Sequence, residues 1–261
     1  MKTIQELLDL RHRVAVVTGA GKGIGAGIAY RLAEAGATVV VADLDFAAAN
    51  DVARDLIALG WTAHARKVDV GSEAEIISLL ESTATEYGSL DILVNNAGIY
   101  PSIPIADLTE EQFSRVIQVN LTGVFLATKH AAEIMRRHGN GGKIINVTSI
   151  DALHPSMIGL AHYDASKHAV WGFTKNAALE LAFDNITVNA IAPGGVATPG
   201  TTGDGSIELP PGVMEQFTAK IPMHRMGTAD EIGTVALFLA SGMSSYMTGA
   251  QIVVDGGVLL S

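Results

Sequence analysis

The chain has 261 residues, of which 48% are hydrophobic and 17% are charged, and it contains no cysteine. This composition is typical of a compact globular protein, and the lack of cysteine excludes disulfide bonds, a thiolate nucleophile and a Cys-ligated metal. The formal net charge of −10, with no cluster of Lys and Arg, argues against nucleic acid or a membrane as a partner.

The first thirteen residues, MKTIQELLDLRHR, lack the continuous apolar stretch of a signal peptide. Ile4, Leu7 and Leu8 instead have the spacing of a short amphipathic helix that lies on the body of the protein. No apolar run in the chain reaches the roughly 18 residues of a membrane span. We therefore expect a cytoplasmic protein.

Seven short runs rich in β-branched residues recur along the chain. They are RVAVVTG from 13, ATVVVAD from 37, TAHARKVDV from 62, LDILVNN from 90, GKIINVTS from 142, ITVNAIAP from 186 and QIVVDGG from 251. Segments with helical periodicity separate them, and this alternation predicts a parallel sheet covered by helices on both faces. The sequence therefore predicts a single α/β domain over residues 1–261, a Rossmann-like three-layer sandwich with a doubly wound parallel sheet of about seven strands.

The segment from 194 to about 222 differs from the other connections. It mixes Gly, Thr and Pro, and it follows the carboxyl end of a predicted strand, where ligands bind in sheets of this kind. Long connections in compact domains are commonly functional. We therefore expect a lid over the substrate, with an ordinary long surface loop as the alternative.

A glycine-rich turn, within TGAGKGIGAGIA from 18, lies between the first predicted strand and the first predicted helix. Glycine permits a turn with positive φ and lets a pyrophosphate approach the backbone, while the amides at the start of the helix meet its negative charge. A P-loop is excluded because Gly-Lys-Ser/Thr does not follow at the required spacing. The turn predicts a dinucleotide site, with glycines that serve only packing as the alternative.

Asp43 ends the second predicted strand, close to the roughly 20-residue spacing at which a carboxylate meets the adenosine ribose. A carboxylate at this place repels a 2′-phosphate, so it favours NAD over NADP. Lys22, within the glycine turn, argues in the opposite direction, since it would pair with a 2′-phosphate. Asp69 and Val70 follow the third strand and are expected near adenine, unless Asp69 caps the next helix.

Tyr163 and Lys167 lie four residues apart in HYDASKHA, on one face of a predicted helix. The spacing alone is weak, because a helical Tyr and Lys pair is usually surface packing. A free tyrosine has a pKa of about 10, and a nearby ammonium favours the ionised phenol. Such a phenolate can take the proton of an alcohol while hydride leaves the same carbon for an oxidised nicotinamide.

These stretches, together with several others, resemble the short-chain dehydrogenase/reductase family in its form with a Tyr-x-x-x-Lys active site. The matching stretches are TGAGKGIG from 18, DV from 69, NNAG from 95, VNLTG from 119, NVTSIDA around Ser149, YDASK from 163, PGGVAT from 193 and TGAQIVVDGG from 248. They occur in order and cover nearly the whole chain.

The resemblance implies a role for each matched residue. The expected catalytic residues are Tyr163 as acid/base, Lys167 as its activator, Ser149 as the partner of the substrate oxygen and Asn120 as a member of a proton relay. The expected cofactor-binding residues are Gly19, Lys22, Gly23, Ile24, Gly25, Asp43, Asp69, Val70, Asn95, Asn96, Ala97, Gly98, Tyr163, Lys167, Pro193, Val196 and Thr198. Taken singly, a strand-end serine is usually a turn or cap, and an asparagine before Leu-Thr-Gly often serves only the backbone, so the constellation carries the assignment.

The polar candidates for the substrate pocket are Asp151, His154 and Tyr100, with Ser102 and His162 beside them in the sequence. Asp151 either accepts a hydrogen bond from a substrate hydroxyl or stabilises its own turn. His162 either lines the pocket or faces solvent at the start of its helix. Ile99, Ile103 and Met157 would suit a hydrophobic substrate instead. No histidine has a metal-ligand spacing such as His-Glu-x-x-His, so no metal site is expected.

The sequence thus predicts an NAD-dependent oxidoreductase that acts on a secondary alcohol or its ketone, with a polyol, sugar or other hydroxylated small molecule favoured. The alternatives are a 3-oxoacyl reductase that uses NADPH, a hydrophobic or cyclic secondary alcohol dehydrogenase, and an NAD-sensing scaffold protein without catalysis. The resemblance also implies a homo-oligomer, with a tetramer favoured, formed through long helices over about 109–138 and 162–183. Apolar faces on these helices fit either a partner or the sheet.

Overall fold

The computed structural model describes residues 1–155, 157–202 and 218–261. Its strands are β1 (Val14–Thr18), β2 (Thr38–Asp43), β3 (Ala63–Lys67), β4 (Ile92–Asn95), β5 (Gly142–Val147), β6 (Ile186–Pro193), β7 (Val196–Ala197), β8 (Gly227–Thr228) and β9 (Gln251–Val254). Its helices are α1 (Ile4–Leu8), α2 (Gly23–Glu34), α3 (Phe46–Ala58), α4 (Glu73–Tyr87), α5 (Glu110–Ile117), α6 (Gly123–His138), α7 (Ala161–Leu181), α8 (Pro199–Thr202) and α9 (Ala229–Ala240).

Seven of these strands form one parallel sheet in the order β3-β2-β1-β4-β5-β6-β9. The chain winds from β1 outward to β3, then returns to pair β4 with β1 and continues in the opposite direction. The predicted doubly wound sheet of seven strands is confirmed. The order reverses between β1 and β4, and ligands bind at such a reversal, outside the carboxyl ends of the strands.

Consecutive strand residues point to opposite faces, and each face has its own apolar core. In β1, Val17 belongs to the cluster beneath α2 and α9, whereas Val16 belongs to the cluster beneath α4, α6 and α7. Because both faces of a central strand are covered, β1 is buried at every position. This is why the strands appear in the sequence as continuous apolar runs rather than as alternating ones.

Side-chain caps fix where several helices begin. Asp45 accepts hydrogen bonds from two backbone amides at the start of α3, and Ser72 accepts one at the start of α4. Thr109 and Thr228 form capping boxes with Gln112 and Glu231 at the starts of α5 and α9.

The structure departs from the predicted elements at one helix. A single helix was expected over about 109–138, but a π-helical turn, Gln118–Thr122, separates α5 from α6. Such turns often occur at functional sites, and this one contains Asn120.

The predicted lid over 194–222 is only partly within the described residues. β7 and β8 pair with each other, so that Val196 lies opposite Gly227, and α8 follows β7. Residues 203–217 of the predicted lid lie outside the described residues. The predicted N-terminal helix is present as α1, beside the 3-10 turn Gly242–Ser244. No helix among the described residues is long and apolar enough to cross a membrane.

Candidate active site

The glycine turn after β1 is shaped by close approach of backbone to backbone. Gly19 has a φ of +62°, and a Cβ there would lie 2.7 Å from the Cα of Ala97. A Cβ on Gly25 would lie 2.2 Å from the carbonyl oxygen of Gly19 and 2.5 Å from Nδ2 of Asn96. Gly23 has a φ of +57° and faces Thr198. Ile24 follows Gly23 at the start of α2, so the amides at the start of this helix open onto the turn.

Asn96 fastens this turn to β4. Its Nδ2 donates to the carbonyl oxygens of Thr18 and Gly19, at 2.9 Å each, and its backbone amide donates to Oγ1 of Thr18. Ala97 donates its amide to the same hydroxyl, at 3.2 Å. Sequence reasoning did not single out Thr18, because a threonine that ends a strand carries no distinctive signal.

Asn95 braces the sheet beneath the site. Its Nδ2 donates to Oδ1 of Asn146 and to Oγ1 of Thr128, and Nδ2 of Asn146 in turn donates to Oγ1 of Thr174 on α7. All four side chains are buried. A fully satisfied polar network of this kind fixes the relative positions of β4, β5 and the helices that carry the site.

Asp43 lies at the end of β2 and binds the glycine turn directly. Its Oδ2 accepts from the amide of Gly21 at 2.8 Å, and its Oδ1 accepts from the amide of Asp45 at 3.0 Å. Lys22 is exposed at the N-terminus of α2. The carboxylate predicted to meet the ribose therefore lies against the turn predicted to hold the pyrophosphate.

Asp69 lies beyond the end of β3, and its Oδ1 accepts from the amide of Gly71 at 2.8 Å. The alternative that Asp69 caps the next helix is wrong, since Ser72 occupies the N-cap of α4. The carbonyl of Val70 lies close against Gly123, where a Cβ would come within 2.6 Å of its oxygen. Because Gly123 has no side chain, the start of α6 can approach Asp69 and Val70, the residues predicted to lie near adenine.

The other expected cofactor residues lie at the carboxyl ends of β4 and β6. Gly98 follows β4, and a Cβ there would lie 3.3 Å from Oδ1 of Asn120 and 3.7 Å from Nζ of Lys167. Pro193 ends β6, and Val196 is buried in β7. Gly98 thus joins the predicted cofactor edge to the predicted catalytic residues.

Tyr163 and Lys167 occupy successive turns at the start of α7. Nζ of Lys167 lies 5.5 Å from the centre of the Tyr163 ring and donates to the carbonyl oxygen of Val147 at 2.8 Å. Only 5% of Lys167 is exposed, so the surface-packing alternative is wrong for this lysine. The helix start brings the pair to the carboxyl end of β5, beside Ser149.

Burial shifts the pKa of both groups away from their charged forms. It lowers the pKa of Lys167 to about 8, although the carboxylate of Asp151 opposes this change. It raises the pKa of Tyr163, while the neighbouring hydroxyl of Ser149 acts to lower it. The lysine was expected to favour the phenolate, but the pKa of Tyr163 is raised, and desolvation of the phenol is the largest cause.

Ser149 is engaged with Asp151. Its hydroxyl donates to Oδ2 of Asp151 at 2.8 Å, and the amide of Asp151 donates back to Oγ at 3.1 Å, so that Ser149 caps the 3-10 turn Ile150–Ala152. The cap expected as an alternative for this serine is therefore present, in the same residue that lies against Tyr163. Oδ1 of Asp151 is buried and has no hydrogen-bond partner among the described residues.

Asn120 is fully buried within the π-helical turn. Its Oδ1 accepts from the amide of Ile99 at 2.8 Å, and its Nδ2 donates to the carbonyl of Ile99 and to Oγ of Ser166. The hydroxyl of Ser166 donates to the carbonyl of Tyr163 at 2.6 Å. Sequence reasoning missed Ser166, which ties the π-helical turn to the helix that carries Tyr163.

The expected substrate residues differ in their exposure and in their contacts with Tyr163. Tyr100 is 45% exposed and lies edge-on to Tyr163, with 5.9 Å between ring centres. His154 is exposed, and its Nδ1 lies 2.9 Å from the carbonyl oxygen of the adjacent Pro155. His162 is fully buried, so the alternative that it faces solvent is wrong, and neither ring nitrogen has a partner among the described residues. Burial also lowers the pKa of His162.

Residues 19–259 match a family model described as enoyl-(acyl carrier protein) reductase. A short-chain type dehydrogenase/reductase from Mycobacterium marinum has a solved structure that is 36% identical, covers 99% of this chain and 100% of its own, and superposes with a TM-score of 0.93. The chain belongs to the short-chain dehydrogenase/reductase family. It is therefore an oxidoreductase of this family, whose dehydrogenases use nicotinamide cofactors.

Two characterised relatives differ in the substrate that their names state. Cis-4-hydroxycyclohexanecarboxylate dehydrogenase of Sinomonas cyclohexanicum is 42% identical over 250 residues, which are 94% of this chain and 96% of the relative. Galactitol 2-dehydrogenase of Agrobacterium fabrum is 39% identical over 260 residues, which are 97% of this chain and the whole of the relative. Both names describe the oxidation of a hydroxylated molecule.

Proposed function

We propose that this short-chain dehydrogenase/reductase is NAD-dependent and interconverts a secondary alcohol and its ketone. The observation that carries the proposal is the grouping of Tyr163, Lys167 and Ser149 at the carboxyl end of β5, next to a glycine turn that side chains would fill. The close backbone approaches at Gly19 and Gly25 fit a dinucleotide, because its pyrophosphate needs access to backbone amides.

When bound, the nicotinamide accepts or supplies the hydride. In alcohol oxidation, Tyr163 takes the hydroxyl proton, and in ketone reduction it returns that proton to the oxygen. Ser149 holds the same oxygen, which stabilises charge as it develops. Lys167, desolvated below the ring of Tyr163, stabilises the phenolate as it forms and fixes its place through the carbonyl of Val147.

The choice of NAD over NADP rests on Asp43. Its carboxylate lies against Gly21 within the turn, and a 2′-phosphate at the same place would meet like charge. Lys22 is exposed at the N-terminus of α2, so its ammonium is solvated rather than held in the turn. This assignment also disfavours the alternative of a 3-oxoacyl reductase that uses NADPH.

For the substrate, we propose a polyol, sugar or other hydroxylated molecule. Asp151 is the main support, because its Oδ1, which no donor of the described residues reaches, is an acceptor beside Ser149. The names of the two characterised relatives fit this class, although a cyclic secondary alcohol fits one of them equally well. The segment 194–222 is proposed as the lid over this substrate.

A homotetramer is proposed through α6 and α7. Phe125 on α6 is 44% exposed and packs edge-on against Phe173 of α7, and Leu179 on α7 is 69% exposed. Large apolar side chains of this kind on neighbouring helices are typical of a surface that a second copy covers.

The test is the rate of NADH formation with polyols, sugars, cyclic alcohols and aryl secondary alcohols. Tyr163→Phe should lower kcat by at least about 100-fold and still bind NADH, because it removes only the proton donor. The matched control is Tyr246→Phe, at a fully exposed tyrosine, which should leave the rate unchanged. Turnover that survives Tyr163→Phe would contradict the mechanism, and no turnover by wild type with either cofactor in either direction would favour an NAD-sensing scaffold.

A further inference from the structure

The hydroxyl of Ser149 has one proton, and in this structure that proton is directed to Asp151 rather than toward the position of a substrate. A hydroxyl that donates to a carboxylate forms one of the stronger hydrogen bonds in proteins. To donate to the reacting oxygen of a substrate, Ser149 must leave this bond. The group that replaces Ser149 as the donor to Asp151 will therefore decide which substrates the enzyme accepts.

Asp151 already lacks a second partner. The residue is 5% exposed, its Oδ2 holds Ser149, and its Oδ1 has no hydrogen-bond partner among the described residues. A buried carboxylate oxygen without a donor is costly, and it would become more so if Ser149 turned away. The site therefore needs a donor at Asp151 that arrives from outside the described protein.

We propose that a hydroxyl on the carbon next to the reacting carbon supplies this donor, and thereby releases Ser149 to the reacting oxygen. This inference rests on the proposed function and assigns Asp151 as a specificity-determining residue of the same site. In the proposed mechanism the reacting oxygen is one hydrogen bond from Ser149, and Oγ of Ser149 lies 2.8 Å, also one hydrogen bond, from Oδ2 of Asp151. Two oxygens on adjacent carbons span a similar distance, so one substrate can meet both residues.

The substrate class that follows is a vicinal diol, or in the reverse direction an α-hydroxyketone. A simple secondary alcohol can meet Tyr163 and Ser149, but it leaves Asp151 without a donor when Ser149 turns. Sites that bond a substrate hydroxyl discriminate against analogues that lack it for this reason. The bond to a charged acceptor predicts that wild type prefers the diol by at least about tenfold in kcat/KM.

The experiment compares butane-2,3-diol with butan-2-ol, and cyclohexane-1,2-diol with cyclohexanol, in wild type and in Asp151→Ala. The variant should lower the diol-to-alcohol ratio of kcat/KM by about 10- to 100-fold, because the diol loses its acceptor while the simple alcohol loses nothing that it used. NADH binding by each variant, measured by fluorescence, verifies the fold. If Asp151→Ala does not bind NADH, Asp151→Asn, which keeps the shape but lacks the charge, takes its place and should lower the ratio in the same direction.

Asp164→Asn is the matched control. This second carboxylate is close enough to be influenced by Asp151, and its Oδ1 is buried without a partner, but no hydrogen bond joins it to Ser149. It should change both substrates by the same factor. Equal changes for diol and alcohol in Asp151→Ala, or no diol preference in wild type, would overturn the inference while leaving the proposed function intact. Absence of turnover for every alcohol and ketone would instead refute the proposed function.

Discussion

At the carboxyl ends of β1 and β2, polar side chains are bonded to backbone, whereas at the end of β5 and the start of α7 several buried polar atoms have no hydrogen-bond partner within the described part of the chain. Both oxygens of Asp43 accept backbone amides, and Asn96 donates to two carbonyls. Beyond β5, the exceptions are Oδ1 of Asp151, Oδ1 of Asp164 and both ring nitrogens of His162. At the predicted cofactor edge, the glycine turn with Asp43 and Asn96, the polar side chains are paired with backbone. At the predicted catalytic edge, the segment after β5 and the start of α7, the described residues leave several polar atoms unpaired.

Burial also acts on the titratable groups of the catalytic edge. It moves Lys167 and Tyr163 toward their neutral forms. Unsatisfied and desolvated groups are costly to the fold, and they concentrate where chemistry needs them. The contrast implies that substitutions at the catalytic edge should change kcat and the pH dependence of stability. Substitutions at the cofactor edge should change the shape of the glycine turn and the affinity for the cofactor.

The largest effect is expected at Lys167. Lys167→Met keeps an unbranched side chain of similar length but removes the ammonium beside Tyr163, so kcat should fall by roughly 10²- to 10⁴-fold, the range of acid/base contributions. Lys175→Met provides the control two turns further along α7, where the lysine is exposed and lies over Trp171. Steady-state rates of the two variants should differ accordingly, and equal rates would remove Lys167 from the mechanism.

The same residue should govern stability at alkaline pH. The pKa of Lys167 falls from 10.5 to about 8 on folding, so between these values the unfolded chain binds a proton that the folded chain has lost. Stability from this group therefore rises as pH rises through that window, by about 3 kcal/mol in total. Below about pH 8, the folded protein carries the full free-energy penalty of burying the charged ammonium.

Lys167→Met should lack this rise. The measurement is the free energy of unfolding in urea at several pH values from about 7 to about 10, for wild type and the variant. Wild type should gain up to about 3 kcal/mol relative to Lys167→Met over that interval. Parallel curves would mean that the lysine is not desolvated in solution.

A smaller effect, on shape rather than charge, is expected at Gly25. The Cβ of Gly25→Ala would lie 2.2 Å from a backbone oxygen of the glycine turn, which cannot move without disturbing Gly19. We expect a loss of about 1–3 kcal/mol in stability and weaker NADH binding. The control is Gly172→Ala on α7, where an added Cβ would meet no atom of another described element within 4 Å and the change should stabilise the helix by about 0.5–1 kcal/mol. Tight NADH binding by Gly25→Ala would contradict the proposal that the glycine turn holds the dinucleotide.

The two edges also differ in how far the sequence predicts them. All seven strands of the main sheet and the glycine turn follow from local signals, because β-branched runs and glycines act where they stand. The π-helical turn around Asn120 was not predicted, since no residue type marks such a turn in a sequence. The burial of His162 and the bond from Ser149 to Asp151 depend on how α7 packs against the loop after β5, and packing of this kind leaves no local pattern.

The smallest expected effect concerns the choice of cofactor at Asp43. Asp43→Asn keeps the size of the side chain and one acceptor for the amide of Gly21 but removes the charge, so the preference for NAD over NADP should fall by about tenfold, which is about 1.4 kcal/mol. Asp45→Asn is the control, because asparagine caps a helix as well as aspartate does and the charge lost lies outside the turn. The measurement is the ratio of kcat/KM for the two cofactors. If Asp43→Asn leaves the ratio unchanged, charge at the end of β2 does not select the cofactor, and Lys22→Ala becomes the variant that should alter it. If Asp43→Asn lowers the ratio and Asp45→Asn does not, selection resides in the single carboxylate that the fold has already bonded to the glycine turn.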